Sequence, residues 1–438
     1  MLRTNRLICL RPIVIALTCL IALGTVQARN ASVPEAAPQS VGFSAERLKR
    51  LENEMQRLVD EKQLAGVVTV VARHGKVVHR KAFGKLDTAK DAPMQKDSIV
   101  RIYSMTKPIV GVAMMMLYEE GKWKPSDPIA KYIPEFAGLK VYAGEKDGEP
   151  VMEAPKHAPT IGELMSHTAG FTYGVFGASP VDKMYQQSNP LGEASLQGMI
   201  DKLAKLPLVY QPGEAWVYSI SVDIQGYLVE KISGKPLPQF LSERIFEPLN
   251  MKDTAFFVPP EKMARLATTY SYSAQTKGLV ALPVDPGVNT LPGLASGGGG
   301  LYSTADDYLQ FLQMVANGGE LNGARLIAPS SVELMRANRV SDEVKAQAKF
   351  GIGNYKMQPG MGFGMDFCII EDPLKLGSTA GKGTYLWDGV AGTWFWIDPT
   401  NDVVFVGIIQ RRGGVPGAAN IEDLTRQLTY QALVEPAK

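Results

Sequence analysis

Apolar positions recur at two periods along this chain, and the change from one to the other marks its elements. Leu48, Leu51, Met55, Leu58 and Val59 follow a 3.6-residue period after Ser44, a residue suited to capping a helix N-terminus. The β-branched run 66–73, Gly-Val-Val-Thr-Val-Val-Ala-Arg, predicts a strand; His74-Gly75 predicts a tight turn and 76–83 the return strand. A short β-like run over 98–103 gives way to an apolar run over 108–118 with almost no polar face, which predicts a buried helix. From 122 to about 290, helical pieces at 160–167, 196–206, 224–232 and 237–245 alternate with Pro- and Gly-rich loops, with no strand pattern of comparable strength. Strand character returns at 383–387, 392–398 and 403–410, with Asp398-Pro399-Thr400-Asn401 as a turn. Ile421, Leu424, Leu428 and Leu433 predict a closing amphipathic helix.

This order implies an α/β (α+β) fold: an antiparallel sheet flanked by helices and built from both ends of the chain, with a mainly helical domain inserted. The expected division is one catalytic domain over 41–435, its α/β part at about 41–110 and 291–435 and its helical insertion at about 111–290.

The first residues fall outside that pattern. Arg3, Arg6 and Arg11 precede an apolar stretch over 12–23 that is too short to span a membrane, and Val26-Gln27-Ala28 is a small-residue cleavage site. Residues 1–28 are therefore expected to be a cleaved signal peptide and 29–40 a linker, giving a secreted or periplasmic protein with no stable membrane insertion. Cys19 is a poor lipidation site because Thr18 precedes it. Cleavage removes Cys9 and Cys19, leaving Cys368, so no disulfide within one chain and no Cys-based metal site is expected. Hydrophobic residues make up 45% and charged residues 21% of the chain, the balance of a globular protein, and a net charge of +2 with scattered Lys and Arg excludes a nucleic-acid stripe.

The candidate chemistry begins where the run at 98–103 meets the buried helix. In Ser104-Met105-Thr106-Lys107, a Ser and a Lys three residues apart at a helix start share one face. An amine partly desolvated by apolar neighbours has a lowered pKa and can take the Ser proton. Tyr218, between Trp216 and Ser219, could be a second proton-handling group, but on its residues alone it reads as a buried core tyrosine beside Trp216. Gly389, after Trp387 and Asp388, ends a strand where a ligand can approach the backbone, and an N–H there with that of Ser104 could hold an oxyanion. His167 is the one candidate for a Ser-His-Asp arrangement, but it lies in a helix-end turn where a His bonds locally. His74, His79 and His157 read as exposed. The glycine run 296–300 lacks the Lys-Ser or Lys-Thr of a phosphate loop, and no G-x-S-x-G elbow occurs.

With these residues in place the chain resembles the β-lactamase-related serine hydrolases, which include the penicillin-binding proteins, and is most similar to class C β-lactamases and family VIII carboxylesterases. Ser104-Met105-Thr106-Lys107 matches the family's S-x-x-K box, Tyr218-Ser219-Ile220 stands in the Y-x-N box and Trp387-Asp388-Gly389 in the K-T-G box. The stretch Leu164-Met165-Ser166-His167-Thr168-Ala169-Gly170 and the glycine run with Leu301 to Asp307 look like accessory family segments. The resemblance spans about 41–433 and implies a β-lactamase/transpeptidase-like fold. It implies Ser104 as nucleophile, Lys107 and Tyr218 as its proton partners, and the N–H groups of Ser104 and Val390 as the oxyanion hole. Which of Lys107 and Tyr218 takes the proton stays open.

The departures bear on the substrate. Ile220 stands where lactamases have Asn and Trp387 where they have the Lys that binds a substrate carboxylate. Trp387 suits an apolar group instead, and Tyr218-Ser219-Ile220-Ser221-Val222-Asp223 looks like the esterase version of the second box. Asp388 is a further departure, facing either the cleft, where it would disfavour anions, or solvent. The function expected is an exported serine hydrolase that forms an acyl-enzyme on Ser104, a carboxylesterase on small or medium esters, needing no metal or cofactor. The alternatives are a β-lactamase or D,D-peptidase acting on lactams or peptides, and a catalytically inactive binding protein on the same fold.

Overall fold

The computed structural model describes residues 32–347 and 357–435. The signal peptide expected over 1–28, with Cys9 and Cys19, lies outside the described residues, as does the start of the linker.

Ser44 caps the first helix, α1 (Ala45–Asp60), by accepting the Arg47 N–H, and α1 turns Leu48, Leu51, Met55 and Leu58 inward, the 3.6-residue stripe its sequence carries. Strands β1 (Gly66–Arg73) and β2 (Lys76–Asp87) follow as an antiparallel hairpin. His74 (φ +51°) and Gly75 (φ +66°) both adopt the left-handed backbone that such a turn requires. A short β3 (Ala92–Pro93) closes this edge.

The C-terminal end supplies the rest of the sheet: β4 (Met361–Phe363), β5 (Cys368–Ile370), β6 (Thr384–Gly389), β7 (Thr393–Asp398) and β8 (Val403–Ile408). Eight antiparallel strands run in the order β4-β5-β6-β7-β8-β1-β2-β3, with β1 paired to β8 from Val68↔Ile408 to Arg73↔Val403. The two chain ends are thus zipped at the sheet's centre. Arg73, buried, ties them further by donating to the carbonyls of Val41 (2.8 Å), Asn401 (2.9 Å) and Glu435 (2.9 Å). Cys368 is a buried free thiol, pushed up to about 12 by burial.

Both sheet faces are covered, so alternate residues of one strand serve different layers. On β7, the indole of Trp394 donates to Thr425 of the closing helix α5 (Ile421–Tyr430) at 3.1 Å. Phe395 points the other way and packs on Tyr308 of helix α4 (Ala305–Ala316), ring centroids 5.5 Å apart.

Helix α2 (Thr106–Glu119) is buried continuously from Thr106 to Leu117, as its lack of a polar face predicts. It packs beside helix α3 (Ser221–Ser233). Gly111 permits that burial: a Cβ on it would lie 2.7 Å from Asp366 Oδ2. Among the described residues no helix is long and apolar enough to cross a membrane.

Three expectations need correction. Residues 98–103 form a strand only at Val100–Arg101, paired with Tyr302–Ser303, and then enter a 3-10 turn, Tyr103–Met105. The stretch between 122 and 290 does carry strands, in the hairpins Val141–Lys146/Glu149–Glu153 and Tyr270–Ser273/Gly278–Ala281. His79 is buried, 4% exposed, with its Nε2 2.8 Å from Thr69 Oγ1, because it shares the inward face of β2 with Val77. His74 and His157 are exposed and bonded to Asp402 (2.6 Å) and Glu163 (2.7 Å).

Candidate active site

Ser104 sits in the 3-10 turn Tyr103–Met105, and Lys107 is the second residue of α2. The tight turn running into the helix stacks the two side chains, and Lys107 Nζ lies 3.1 Å from Ser104 Oγ. Tyr103, just before Ser104, takes φ +45°, a strained backbone for a non-glycine residue. Its ring is held from two sides: Arg412 donates to its hydroxyl at 3.0 Å, and the Arg101 guanidinium lies over it at 4.6 Å.

Tyr218 arrives from the loop before α3 and donates its hydroxyl to Ser104 Oγ at 2.6 Å. Its ring is fixed by aromatic neighbours at centroid distances of 5.2 Å (His167), 5.4 Å (Tyr173), 5.4 Å (Trp387) and 5.8 Å (Phe176). Ser104 therefore touches both proton-handling groups that the S-x-x-K and tyrosine boxes bring.

The charge states of the two differ. Burial pushes the Lys107 ammonium down to about 8, against the opposing pull of the Asp223, Asp366 and Asp388 carboxyls. Burial pushes the Tyr218 phenol up, so it stays protonated where Lys107 begins to lose its proton. Lys107 also donates to the Gly298 carbonyl at 2.6 Å, which leaves the amine lone pair free to turn to Ser104 once neutral.

Two residues of this arrangement carried no role in the sequence. Gly298, in the glycine run, anchors Lys107 through its carbonyl, and glycine is required because a Cβ would lie 2.3 Å from Asp223 Oδ2. Asp223 is the holder of that loop: its Oδ1 accepts from Ser296 Oγ (2.5 Å) and the Gly298 N–H (3.0 Å), and its Oδ2 from the Tyr173 hydroxyl (3.2 Å). Its place five residues beyond Tyr218 in Tyr-Ser-x-Ser-x-Asp was the available signal. Asp223→Asn is expected to lower kcat about tenfold by loosening Gly298. Because Asp223 is the foremost group holding the Lys107 pKa up, the variant should also move the acidic limb of the pH–rate profile to lower pH. A pH–rate series on both proteins checks this; an unmoved limb would remove Asp223 from the Lys107 environment.

His167 does not reach Ser104. Its Nδ1 lies 3.1 Å from Ser219 Oγ, its ring backs Tyr218, and burial beside the Lys107 charge drives it well below the usual histidine range, hence neutral.

The third box lies on β6. Gly389 abuts the segment leading to Ser104: a Cβ there would be 2.3 Å from the Ile102 carbonyl oxygen, which also accepts Thr393 Oγ1 at 3.1 Å. Trp387 is 2% exposed, its ring packed on Tyr218 and Phe363 (5.5 Å). Val390, next in the turn, is exposed. Asp388 takes neither expected orientation. Strand alternation turns it from Trp387 toward α5, where burial and the neighbouring Glu422 carboxyl, which shares a hydrogen bond with it, push its pKa well above the carboxylate range.

A serine in contact with a buried lysine and a tyrosine, packed beside β6 of an antiparallel sheet, is the arrangement of a class of serine hydrolase. The chain belongs to the Beta-lactamase family, whose model matches residues 51–429. It is 36% identical over 359 residues to Protein Rv1367c of Mycobacterium tuberculosis, covering 81% of this chain and 88% of that protein. It is 30% identical over 370 residues to Esterase EstB of Burkholderia gladioli, covering 79% and 86%. Among solved structures it resembles EstCE1, a hydrolase with promiscuous acyltransferase activity, with a TM-score of 0.72 and 26% identity over 88% of this chain and 99% of that one.

Proposed function

We propose that this serine hydrolase is an exported carboxylesterase that works through an acyl-enzyme on Ser104. The carrying observation is that Ser104 Oγ lies within hydrogen-bond reach of both Lys107 Nζ (3.1 Å) and Tyr218 OH (2.6 Å), while buried Trp387 stands where an anion-binding Lys would be. Export rests on the leader pattern Arg3, Arg6, Arg11 and Val26-Gln27-Ala28.

Neutral Lys107 takes the Ser104 proton along their contact. Oγ bonds to the ester carbonyl carbon, and the charge that develops on the carbonyl oxygen is met by the N–H groups of Ser104 and Val390. As the carbon–oxygen bond to the alcohol breaks, Tyr218 and Lys107 return the proton to the leaving oxygen. A water then adds its hydroxyl to the acyl carbon and gives its proton to the same pair; the acyl carbon–Oγ bond breaks, Oγ takes that proton back, and the acid leaves with Ser104 restored. Gly389 gives the backbone close access to the carbonyl, and Trp387 shapes the apolar wall behind Tyr218.

Purified mature protein assayed on short p-nitrophenyl esters, a chromogenic cephalosporin and D-Ala-D-Ala peptides tests this reading. Ester kcat/KM is expected to exceed cephalosporin kcat/KM by at least about tenfold. Cephalosporin or peptide turnover rivalling the esters would replace it with the lactamase or peptidase reading. A fluorophosphonate that leaves Ser104 unlabelled would support the inactive binding protein instead.

A further inference from the structure

A second recess lies beside the nucleophile. A cleft of ≈ 380 Å³ is lined by Tyr103, Arg101 and Arg412 on one side and by an apolar wall that includes Leu282, Val284 and Pro286. Tyr103, which lines the cleft, immediately precedes Ser104 in the chain. The Arg411 N–H donates to the Ala391 carbonyl at 2.8 Å, which ties this cleft to the turn that carries Val390.

The charges in the cleft are unequal. Its charged residues are Lys90, Arg101, Arg412 and Asp285. Asp285 is paired with Arg101, and Lys90 lies 3.2 Å from Asp87. Arg412 is exposed and makes no ion pair among the described residues; its guanidinium donates to the Tyr103 hydroxyl and lies 5.2 Å from that ring's centroid. Its backbone is fixed, since Arg411–Arg412 pairs in parallel with Tyr270–Ser273. A planar guanidinium on a rigid strand, stacked at an aromatic ring and open to solvent, is arranged to receive a carboxylate. The wall leading to it is apolar and uncovered: Val284 is 59% exposed.

We propose that this cleft is an anion subsite and that the enzyme's substrates are esters bearing a carboxylate, on either the acyl or the alcohol side, which Arg412 engages beside Tyr103. This rests on the carboxylesterase reading and names its substrate class. The third-box position holds Trp387 rather than a cation, so recognition of an anion is displaced to Arg412, past an apolar spacer lying on the Leu282–Val284 wall.

Two pairs of probes test it and separate the two sources of the carboxylate. The p-nitrophenyl monoester of glutaric acid against p-nitrophenyl butyrate places the anion on the acyl side; para-acetoxybenzoate against phenyl acetate places it on the alcohol side. In one pair, the anionic-to-neutral ratio of kcat/KM is expected to fall about tenfold to a hundredfold in Arg412→Gln, through KM, and further in Arg412→Glu, with partial recovery in Arg412→Lys. The wild-type ratio in that pair should also fall as salt is added. A ratio unchanged within about twofold in both pairs overturns the subsite. If the intact enzyme cleaves none of the four esters, the carboxylesterase reading fails and this inference with it; ester turnover with an unchanged ratio removes the subsite alone.

Discussion

Ser104→Ala is expected to lower kcat/KM on a short p-nitrophenyl ester by about 10⁴-fold or more, to the level left by binding and oxyanion stabilisation. The size follows from the site's economy. In the proposed mechanism the other groups around Ser104 move protons or pack, and among the described residues none of them is placed to form the acyl bond in its stead. The variant should keep its fold, because Lys107 retains its 2.6 Å bond to Gly298 and Tyr218 its ring of aromatic neighbours. Single-turnover mass spectrometry should find an acyl group on Ser104 in the parent enzyme and none in the variant. Ester hydrolysis by Ser104→Ala at the parent rate would place the nucleophile elsewhere.

Lys107→Met carries the second large effect, about 10³-fold in kcat/KM, the contribution of a positioned base to a hydroxyl nucleophile. The pH dependence identifies the base. With its ammonium pushed down to about 8, Lys107 is mostly charged below that pH and neutral above it. The neutral form is the one that accepts the Ser104 proton, so kcat/KM in the parent should rise with pH and level off above about 8. Tyr218, driven upward by burial, remains a donor through that interval. In Lys107→Met the rise should vanish, and thermal stability should hold or increase, because burying an amine disfavours its charged form. A surviving acidic limb with the same midpoint in Lys107→Met would hand the base role to another group.

The parts of the fold that a local pattern specifies were legible. The α1 stripe with Ser44 before it, the β1–β2 hairpin and the all-apolar α2 each bury residues at the spacing their sequence shows. The hairpin Val141–Lys146/Glu149–Glu153 was not, because all of its second strand is exposed and so carries no apolar alternation; Asp147-Gly148 between the strands was its one cue. Histidine is most often a surface residue, but the register of His79 with Val77 on β2 places it inward.

The candidate site divides in the same way. The spacing of Ser104 and Lys107 is a local geometric fact, and their 3.1 Å contact follows from it. Tyr218 is brought by tertiary packing across 114 residues, and its surroundings in sequence were those of a core tyrosine. Resemblance singled it out where residue chemistry did not. The carbonyl of Gly298 anchors Lys107 from 191 residues away, and a main-chain acceptor leaves no mark in the identity of its residue. For Asp388, strand parity relative to Trp387 settles the side it faces, but that needs the sheet's layers to be known.

The zipped sheet also sets when the enzyme comes into being. Thr393 braces Ile102, two residues before Ser104, from 291 residues along the chain, and it does so from β7, which β8 joins to β1. Closure of so long a loop is a late event in folding. A chain emerging from its N-terminus exposes Ser104 and Lys107 long before the strands that align them have been made. Hydrolytic competence is therefore a property of the finished polypeptide, and truncation within the last strands should silence the serine without touching it.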